Sequence, residues 1–366
     1  MSTVYHLSNG YLFGMGVWLI GLAASLVVGV KWQRKWRSFP RRLRFVHLGL
    51  AVWPVCALLT LPELYCALFY DETDSFGLTN TSQRWYQIHV APNAAGFRDT
   101  RPLTPNLPAG EKRLCFVGDS FTFGHGVANV EDRFSDRIAA ELEAAGSLGH
   151  PGTKRYRVAN TGLPGLDIRQ LVDKLLPEWI SNNVQIDLLV YTLVLNDIEY
   201  LDEWTAEHYQ NIEQTKPEFL LFRDSYFFNL LYFRWQHLRR PEGTGYYSYL
   251  AESYKTEPWR RLQRKLDELR ALCRDNGIEL RVVIFPFLHN LGPDYPFRDA
   301  HRRLEAYFTG HGVKCLDLEP ILAKHTGEDL TVNQFDAHPN ERAHALAATA
   351  IRNHLLADLF ANDGTE

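Results

Sequence analysis

The sequence predicts an α/β protein in which two membrane-spanning helices precede a parallel sheet with helices on both faces. Two observations lead to this prediction. The first 70 residues contain two long apolar runs, and the rest of the 366-residue chain alternates short apolar runs with amphipathic stretches. Alternation of strand and helix patterns is typical of parallel sheets, because parallel strands are joined by helical crossovers.

Residues 11–30 form the first apolar run. They are twenty residues without a charge, enough to cross roughly 30 Å of hydrocarbon as a helix. The second run covers residues 45–70 and contains Pro54, Pro62 and Glu63. Prolines are tolerated in spans where neighbouring groups satisfy the freed backbone, so we expect membrane lipid around both runs. A cleaved signal peptide is the alternative for the first run, but residues 1–10 lack the Lys or Arg that such a peptide needs.

The loop between the runs, residues 31–44, carries seven basic residues and no acid. Short basic loops stay in the cytoplasm, so we predict a cytoplasmic hairpin with everything after Tyr70 on the far side of the membrane. Removing those seven residues and Glu63 from the totals leaves 32 Lys and Arg against 42 Asp and Glu, a net charge of −10. The prediction is a membrane anchor over residues 1–70 and an acidic extracytoplasmic domain over residues 71–366, with no nucleic-acid partner.

Within the second domain, five apolar runs indicate strands and five amphipathic stretches indicate helices. Residues 186–194 are apolar enough for a central strand. Residues 199–256 interrupt the alternation and are too long for a simple connection, so we treat them as an insertion. The insertion is either a lid or membrane-interface helix, or an extra helix packed on the sheet. The strands are expected near residues 113–117, 156–159, 186–194, 280–285 and 313–318, and the helices near residues 134–142, 168–180, 262–272, 301–308 and 343–356.

Four short motifs follow strands or lie late in this domain: GDSFTFG from Gly118, NTGLPG from Asn160, LND from Leu195 and DAHPN from Asp336. In parallel sheets the site lies beyond the carboxyl ends of the strands, where the first three motifs begin. The four motifs together therefore predict a site at this edge of the sheet.

Ser120, Asp336 and His338 have the chemistry of a serine nucleophile with its base. A serine hydroxyl is a weak nucleophile until a base takes its proton, and an imidazole titrates in the right range. Asp336 is the nearest acid that can orient the imidazole of His338 and stabilise its charged form. His125 is a second candidate base, although its Gly-flanked position suits a residue that shapes the site.

Acyl transfer also needs hydrogen-bond donors where negative charge develops on the carbonyl oxygen. The backbone N–H groups of Ser120 and Gly165 and the side-chain amide of Asn196 can supply them. Gly162 is the alternative to Gly165. Neither a cofactor nor a metal is expected, because the five cysteines include no C-x-x-C pair and His289, His301, His311 and His325 lack ligand spacing. The α/β-hydrolase G-x-S-x-G elbow is absent around Ser120.

These motifs resemble the SGNH (GDSL-type) hydrolase superfamily over about residues 92–357. Its blocks are matched by Gly118-Asp119-Ser120, by Gly165, by Asn196-Asp197 and by Asp336-Ala337-His338, and NAAGFRD from Asn93 is similar to a segment that precedes the first block in bacterial members. The resemblance implies a flavodoxin-like three-layer sheet and esterase activity. The family's common spacing is Asp-x-x-His, whereas this chain has Asp-x-His. That form is similar to membrane-linked members that acetylate or deacetylate polysaccharides.

The sequence therefore predicts a serine esterase that acts on an acyl ester, with a small acyl group on a surface glycan as the expected substrate. An O-acyltransferase with a sugar acceptor is the first alternative, because the same residues would serve it. Cleavage of lipid esters and a non-catalytic glycan-binding role are further alternatives.

Overall fold

The computed structural model describes residues 7–147, 155–201, 215–239 and 245–360. They form two compact units, the first made of residues 7–88 and 215–239 and the second of the other described residues. The helices are α1 (Asn9–Lys35), α2 (Pro40–Leu68), α3 (Asn80–His89), α4 (Ser120–Phe123), α5 (Phe134–Ser147), α6 (Ile168–Gln170), α7 (Leu176–Ser181), α8 (Leu220–Asp224), α9 (Tyr226–Arg239), α10 (Tyr246–Ser253), α11 (Glu257–Asp275), α12 (Arg298–Gly310), α13 (Glu319–Leu322), α14 (Glu341–Ala350) and α15 (Ala357–Phe360). The strands are β1 (Glu111–Gly118), β2 (Arg155–Asn160), β3 (Leu188–Val194), β4 (Glu279–Phe285), β5 (Lys314–Asp317), β6 (Thr331–Asn333) and β7 (Asp336–Pro339).

The first unit is built on α1 and α2, which correspond to the two apolar runs. Both helices are long and apolar enough to cross a membrane by length and composition. Pro54 and Pro62 lie inside α2 without ending it. Polar side chains pair between the two helices, since Trp18 Nε1 donates to Thr60 Oγ1 at 2.9 Å and Trp53 Nε1 donates to the Leu22 carbonyl at 2.9 Å. These bonds give the indole N–H groups of Trp18 and Trp53 acceptors within the unit.

Glu63 of α2 holds this unit together. Its carboxylate accepts hydrogen bonds from the Tyr11 hydroxyl at 2.8 Å and from the backbone N–H groups of Tyr226 and Phe227, both at 2.9 Å. The Ser225 hydroxyl donates to the same carboxylate. Because a helix N-terminus carries unpaired N–H groups and partial positive charge, Glu63 stabilises the start of α9.

The division into units differs from the domain boundary that the sequence suggested. Residues 71–88 and 215–239 group with the two long helices, whereas the sequence placed them with the extracytoplasmic domain. Arg84 of α3 shows the reason, because its buried guanidinium donates to the carbonyls of Ala67 and Tyr70 at the end of α2. The part of the insertion at residues 245–256 belongs instead to the second unit, where Leu250 and Tyr254 are fully buried.

The second unit contains a five-stranded parallel sheet in the order β2-β1-β3-β4-β5. All seven residues of β3 are buried, as expected for the central strand of a sheet covered on both faces. The predicted parallel α/β fold is therefore confirmed, and each expected strand is present within three residues of its predicted limits. Single π-helical turns, Leu171–Leu175 and Ile351–Leu355, follow α6 and α14 within the stretches predicted as helices.

A short antiparallel hairpin of β6 and β7 was not among the predicted elements. It pairs Asn333 with Asp336 and has an irregular register. Its strands are three and four residues long, too short for a recognisable alternation of apolar and polar residues. The hairpin matters because β7 carries both Asp336 and His338.

Candidate active site

Ser120 is the first residue of α4, directly after β1 and the capping residue Asp119. The Asp119 carboxylate accepts the Phe121 N–H at 2.9 Å, which fixes the start of the short helix. Gly118 is required for packing, because a Cβ atom there would lie 2.5 Å from Thr122 Oγ1 and 2.6 Å from the Thr192 carbonyl oxygen. The half-buried Ser120 is thereby presented at the carboxyl edge of the sheet.

The structure brings Ser120, His338 and Asp336 into one chain of hydrogen bonds. His338 Nε2 lies 2.8 Å from Ser120 Oγ, and His338 Nδ1 lies 2.6 Å from Asp336 Oδ1. Asp336 Oδ1 also accepts the His338 backbone N–H at 3.1 Å, which the Asp-x-His spacing permits. Since an ionised carboxylate can only accept, Nδ1 carries the proton and Nε2 is left to accept the Ser120 O–H.

Asp336 is ionised although it is buried. Burial alone would raise its pKa, but the neighbouring imidazoles of His338 and His125 hold the pKa well below its usual range. A permanent negative charge at this point stabilises the imidazolium that forms when His338 takes a proton.

His125 is the second histidine at Asp336. His125 Nε2 lies 3.2 Å from Asp336 Oδ2, and the His125 ring stacks on the His338 ring with centroids 4.2 Å apart. His125 is buried. The prediction left open whether His125 acts as a base or shapes the site, and this contact with Asp336 favours the second role.

The three groups His125, Asp336 and His338 also have the composition of a metal site, since one ligand atom from each lies within 4.8 Å of the others. The Nδ1 to Oδ1 separation of 2.6 Å and the contact of Nε2 with Ser120 are nevertheless those of hydrogen bonds. The arrangement is therefore complete as a proton relay.

The loop that carries His125 is held by Arg98, a residue of the NAAGFRD motif. The buried Arg98 guanidinium donates to the carbonyls of Gly124 and Val127, both at 2.7 Å. Gly124 and Gly126 adopt positive φ on either side of His125, which favours glycine at both positions. Sequence reasoning noted the motif but assigned Arg98 no role, because a contact across 26 residues has no local signal.

Two glycines were candidates for an oxyanion donor, and their surroundings differ. The Gly162 N–H donates to Asn160 Oδ1 at 3.0 Å, and a Cβ at Gly162 would lie 2.4 Å from the Phe123 backbone nitrogen. Gly162 is thus a packing residue whose N–H is used. Gly165 is exposed with φ of 73° and, within the described residues, its N–H has no protein acceptor. This difference favours Gly165 as the donor.

Asn196 lies in the helical turn Leu195–Leu201 that follows β3, and its side chain hydrogen-bonds the Asp119 carboxylate. Its Oδ1 is buried and has no partner in the part of the chain that the structure describes. Burial raises the pKa of Asp119 to about 7, although the bonds from Phe121 and Asn196 oppose this. Asp119, the residue before the predicted nucleophile, is therefore hydrogen-bonded to the third predicted donor.

Asp197, the second residue of the Asn-Asp pair, is buried and surrounded by other side chains of the second unit. Burial and the nearby Asp119 carboxylate raise the pKa of Asp197 well above its usual range. The Tyr191 hydroxyl donates to Asp197 Oδ2 at 2.6 Å. Asp119 and Asp197 are both buried, so neither carboxyl group faces solvent.

No curated protein matches the chain. Solved structures that are similar to it include a lipolytic protein of the G-D-S-L family from Veillonella parvula, with 16% identity, 66% of this chain and 97% of that chain covered and a TM-score of 0.38. A catalytic mutant of Axe2, an acetylxylan esterase from Geobacillus stearothermophilus, has 14% sequence identity and a TM-score of 0.41. The match covers 67% of this chain and 94% of that chain. A two-domain esterase active on acetylated mannans has 15% sequence identity and a TM-score of 0.39. The match covers 70% of this chain and 52% of that chain.

The decisive comparison is with protein families. The model of the GDSL-like Lipase/Acylhydrolase family matches residues 116–346, which is more than half of the chain and includes all four motifs. The resemblance deduced from the motifs is confirmed. The chain therefore belongs to the GDSL-like lipase/acylhydrolase family and is an ester-hydrolysing enzyme.

Proposed function

We propose that the protein is a membrane-anchored serine esterase that removes a small acyl group, most simply acetyl, from a surface glycan outside the cytoplasm. The hydrogen-bonded relay from Ser120 Oγ through His338 to Asp336 carries the proposal. A site that only binds a ligand has no chemical need for a nucleophile, a base and a buried acid in this order.

In the first half of the reaction, Ser120 Oγ attacks the acyl carbonyl carbon while its proton passes to His338 Nε2. Asp336 stabilises the imidazolium. Negative charge on the carbonyl oxygen is met by the N–H groups of Ser120 and Gly165 and by the Asn196 amide, each such donor supplying roughly 3 to 4 kcal/mol. The tetrahedral intermediate collapses, the leaving alkoxide takes the proton from His338, and the acyl group remains on Ser120.

In the second half, a water molecule gives its proton to His338 Nε2 and attacks the acyl carbon. The C–O bond to Ser120 then breaks, and the proton returns from His338 to Ser120 Oγ. Free carboxylic acid leaves. If a sugar hydroxyl replaces the water, the same steps produce a new ester, so the relay serves hydrolysis and O-acyl transfer alike.

The substrate class is supported by the Asp336-Ala337-His338-Pro339 sequence and by the openness of the site. The Asp-x-His form resembles that of membrane-linked members that act on polysaccharides. Ser120 is half-buried and Gly165 is exposed, which suits an ester on a large molecule that cannot enter a deep pocket. O-acyl transfer to a polysaccharide is the second candidate, favoured by the same spacing.

Replacement of Ser120 by alanine tests the catalytic role. We expect Ser120→Ala to lower the hydrolysis of 4-nitrophenyl acetate by at least about 1,000-fold, because the nucleophile is lost and only binding and oxyanion donors remain. A fluorophosphonate probe should label the wild-type protein and a Ser181→Ala control but not Ser120→Ala. Equal labelling of Ser120→Ala would show that the probe reacts elsewhere and would refute the proposed nucleophile.

The acyl acceptor is tested with 4-nitrophenyl acetate as donor, with and without unacetylated xylan and mannan oligosaccharides. We expect one acetate released for each donor consumed and no change in the mass of the oligosaccharides. Acetylated oligosaccharide that forms with wild type and fails to form with Ser120→Ala would instead identify an O-acyltransferase.

His125 is tested as a positioning residue with two variants. His125→Phe keeps a ring against His338 but removes the donor to Asp336, and we expect kcat to fall about 10- to 100-fold, the cost of losing a hydrogen bond to a charged group. Because Asp336 then draws the His338 proton more strongly, the pKa of His338 should rise. The acid limb of kcat/KM should accordingly move to higher pH, since the base must be neutral.

His125→Gln places an amide donor near the position of the His125 Nε2. This variant should recover part of the activity, and the acid limb of its kcat/KM profile should lie at the wild-type pH. A purely structural role for His125 predicts lower activity in both variants with an unshifted pH profile. That result would contradict the assignment.

The orientation follows from the basic loop between α1 and α2. A reporter that is active only in the cytoplasm should be active when it is inserted at Ser38. A reporter that is active only outside the cytoplasm should be active when it is appended after Glu366. The reverse pattern would refute the proposed placement of the catalytic domain.

A further inference from the structure

We infer that α8 and α9 form a third contact with the membrane, in the outer lipid leaflet, through an apolar surface made of Phe219, Leu220, Leu221, Leu231, Trp235 and Leu238. This inference rests on the proposed membrane anchoring by α1 and α2. It assigns a lipid-binding role to a part of the insertion that the catalytic mechanism does not use.

The surface on α9 is a stripe along one side of the helix. Leu231, Trp235 and Leu238 are spaced by four and three residues, which places them on the same face. Their exposed fractions are 44%, 47% and 76%. The stripe is additional to the packing of α9, because Tyr226 and Leu230 on another side are already buried in a cluster with Cys66 and Ala67 of α2.

The surface continues in α8. Phe219, Leu220 and Leu221 are three consecutive apolar residues with exposed fractions of 65%, 62% and 44%. Asn80 fixes the chain just after them, since its side-chain amide donates to the carbonyls of Arg223 and Ser225. Six exposed large apolar side chains in one short segment exceed the scattered apolar residues that are normal on a water-facing surface.

The position of α8 and α9 along the spans identifies lipid as the occupant. Glu63 binds the start of α9 and also accepts from the hydroxyl of Tyr11, the first residue of the uncharged run of α1. Both helices of the anchor therefore place the start of α9 at the end of the apolar runs opposite the basic loop. Under the proposed orientation this level is the outer membrane interface.

The neighbouring surface of α2 has the same character. Leu58, Leu61, Tyr65 and Phe69, which lie around the level of Glu63, have exposed fractions of 63%, 63%, 55% and 71%. At the level where Glu63 binds the start of α9, the exposed side of α2 is therefore apolar as well.

The side chains at the far end of α9 fit an interfacial position. The Arg239 guanidinium lies 4.1 Å from the centroid of the Trp235 ring. Tryptophan is enriched at membrane–water interfaces, and arginine can keep its apolar stem against lipid while its charge reaches headgroups. An amphipathic helix with an apolar stripe and a basic end is suited to the membrane–water interface.

The test uses the full chain in nanodiscs of phosphatidylcholine and phosphatidylglycerol, with the photoreactive amino acid benzoylphenylalanine at single positions. Leu220 and Leu238 probe the inferred surface and Leu58 probes the span. Gln236, half-buried on another side of α9, and Arg302, an exposed residue of the catalytic unit, are the controls. Lipid adducts are measured by mass spectrometry of the crosslinked protein.

We expect lipid adducts at Leu220, Leu238 and Leu58, with none above background at Gln236 and Arg302. Adducts at Leu58 without adducts at Leu220 and Leu238 would overturn the inference and leave the anchoring intact. Crosslinks between two protein chains at Leu220 and Leu238 would also overturn it, in favour of a second copy. Absence of adducts at Leu58 would refute the anchoring itself and the inference with it.

Discussion

Parallel pairing of β1 with both β2 and β3 is the constraint on which the catalytic unit depends. Parallel strands end at the same edge of a sheet, so the segments that follow β1, β2 and β3 emerge side by side. Those segments carry Ser120, Gly165 and Asn196, which are far apart in the chain. The fourth contribution, Asp336 and His338, comes from the β6–β7 hairpin, which reaches the same edge from outside the main sheet.

Two buried carboxyl groups near Ser120, those of Asp336 and Asp119, have pKa values shifted in opposite directions. Asp336 stays ionised because two imidazoles contact its two carboxylate oxygens, whereas burial raises the pKa of Asp119 to about 7. The two acids therefore serve different purposes in one site. Asp336 supplies a fixed negative charge behind the proton relay, and Asp119 supplies hydrogen-bonding atoms that place α4 and the Asn196 amide.

Carboxylates at helix starts recur in both units and act over different ranges. Asp119 caps the helix that directly follows it in the chain, which is a local interaction with a recognisable sequence pattern. Glu63 binds the start of α9 although it lies 163 positions before Tyr226 in the chain. The same physical attraction between a carboxylate and unpaired N–H groups gives a local cap in one case and joins α2 to α9 in the first unit in the other.

The sequence was sufficient to predict the parallel α/β class, the five strands, the two apolar helices and the family, because each depends on local periodicity or on short motifs. It also named Ser120, Asp336 and His338, although only the structure showed them within hydrogen-bonding distance. The choice between Gly162 and Gly165 required the fold, since it depends on whether each N–H already has an acceptor. The roles of Arg98 and Glu63 and the contact of His125 with Asp336 likewise had no local signal. Each acts on atoms that are distant in the chain, and such contacts exist only once packing has brought the segments together.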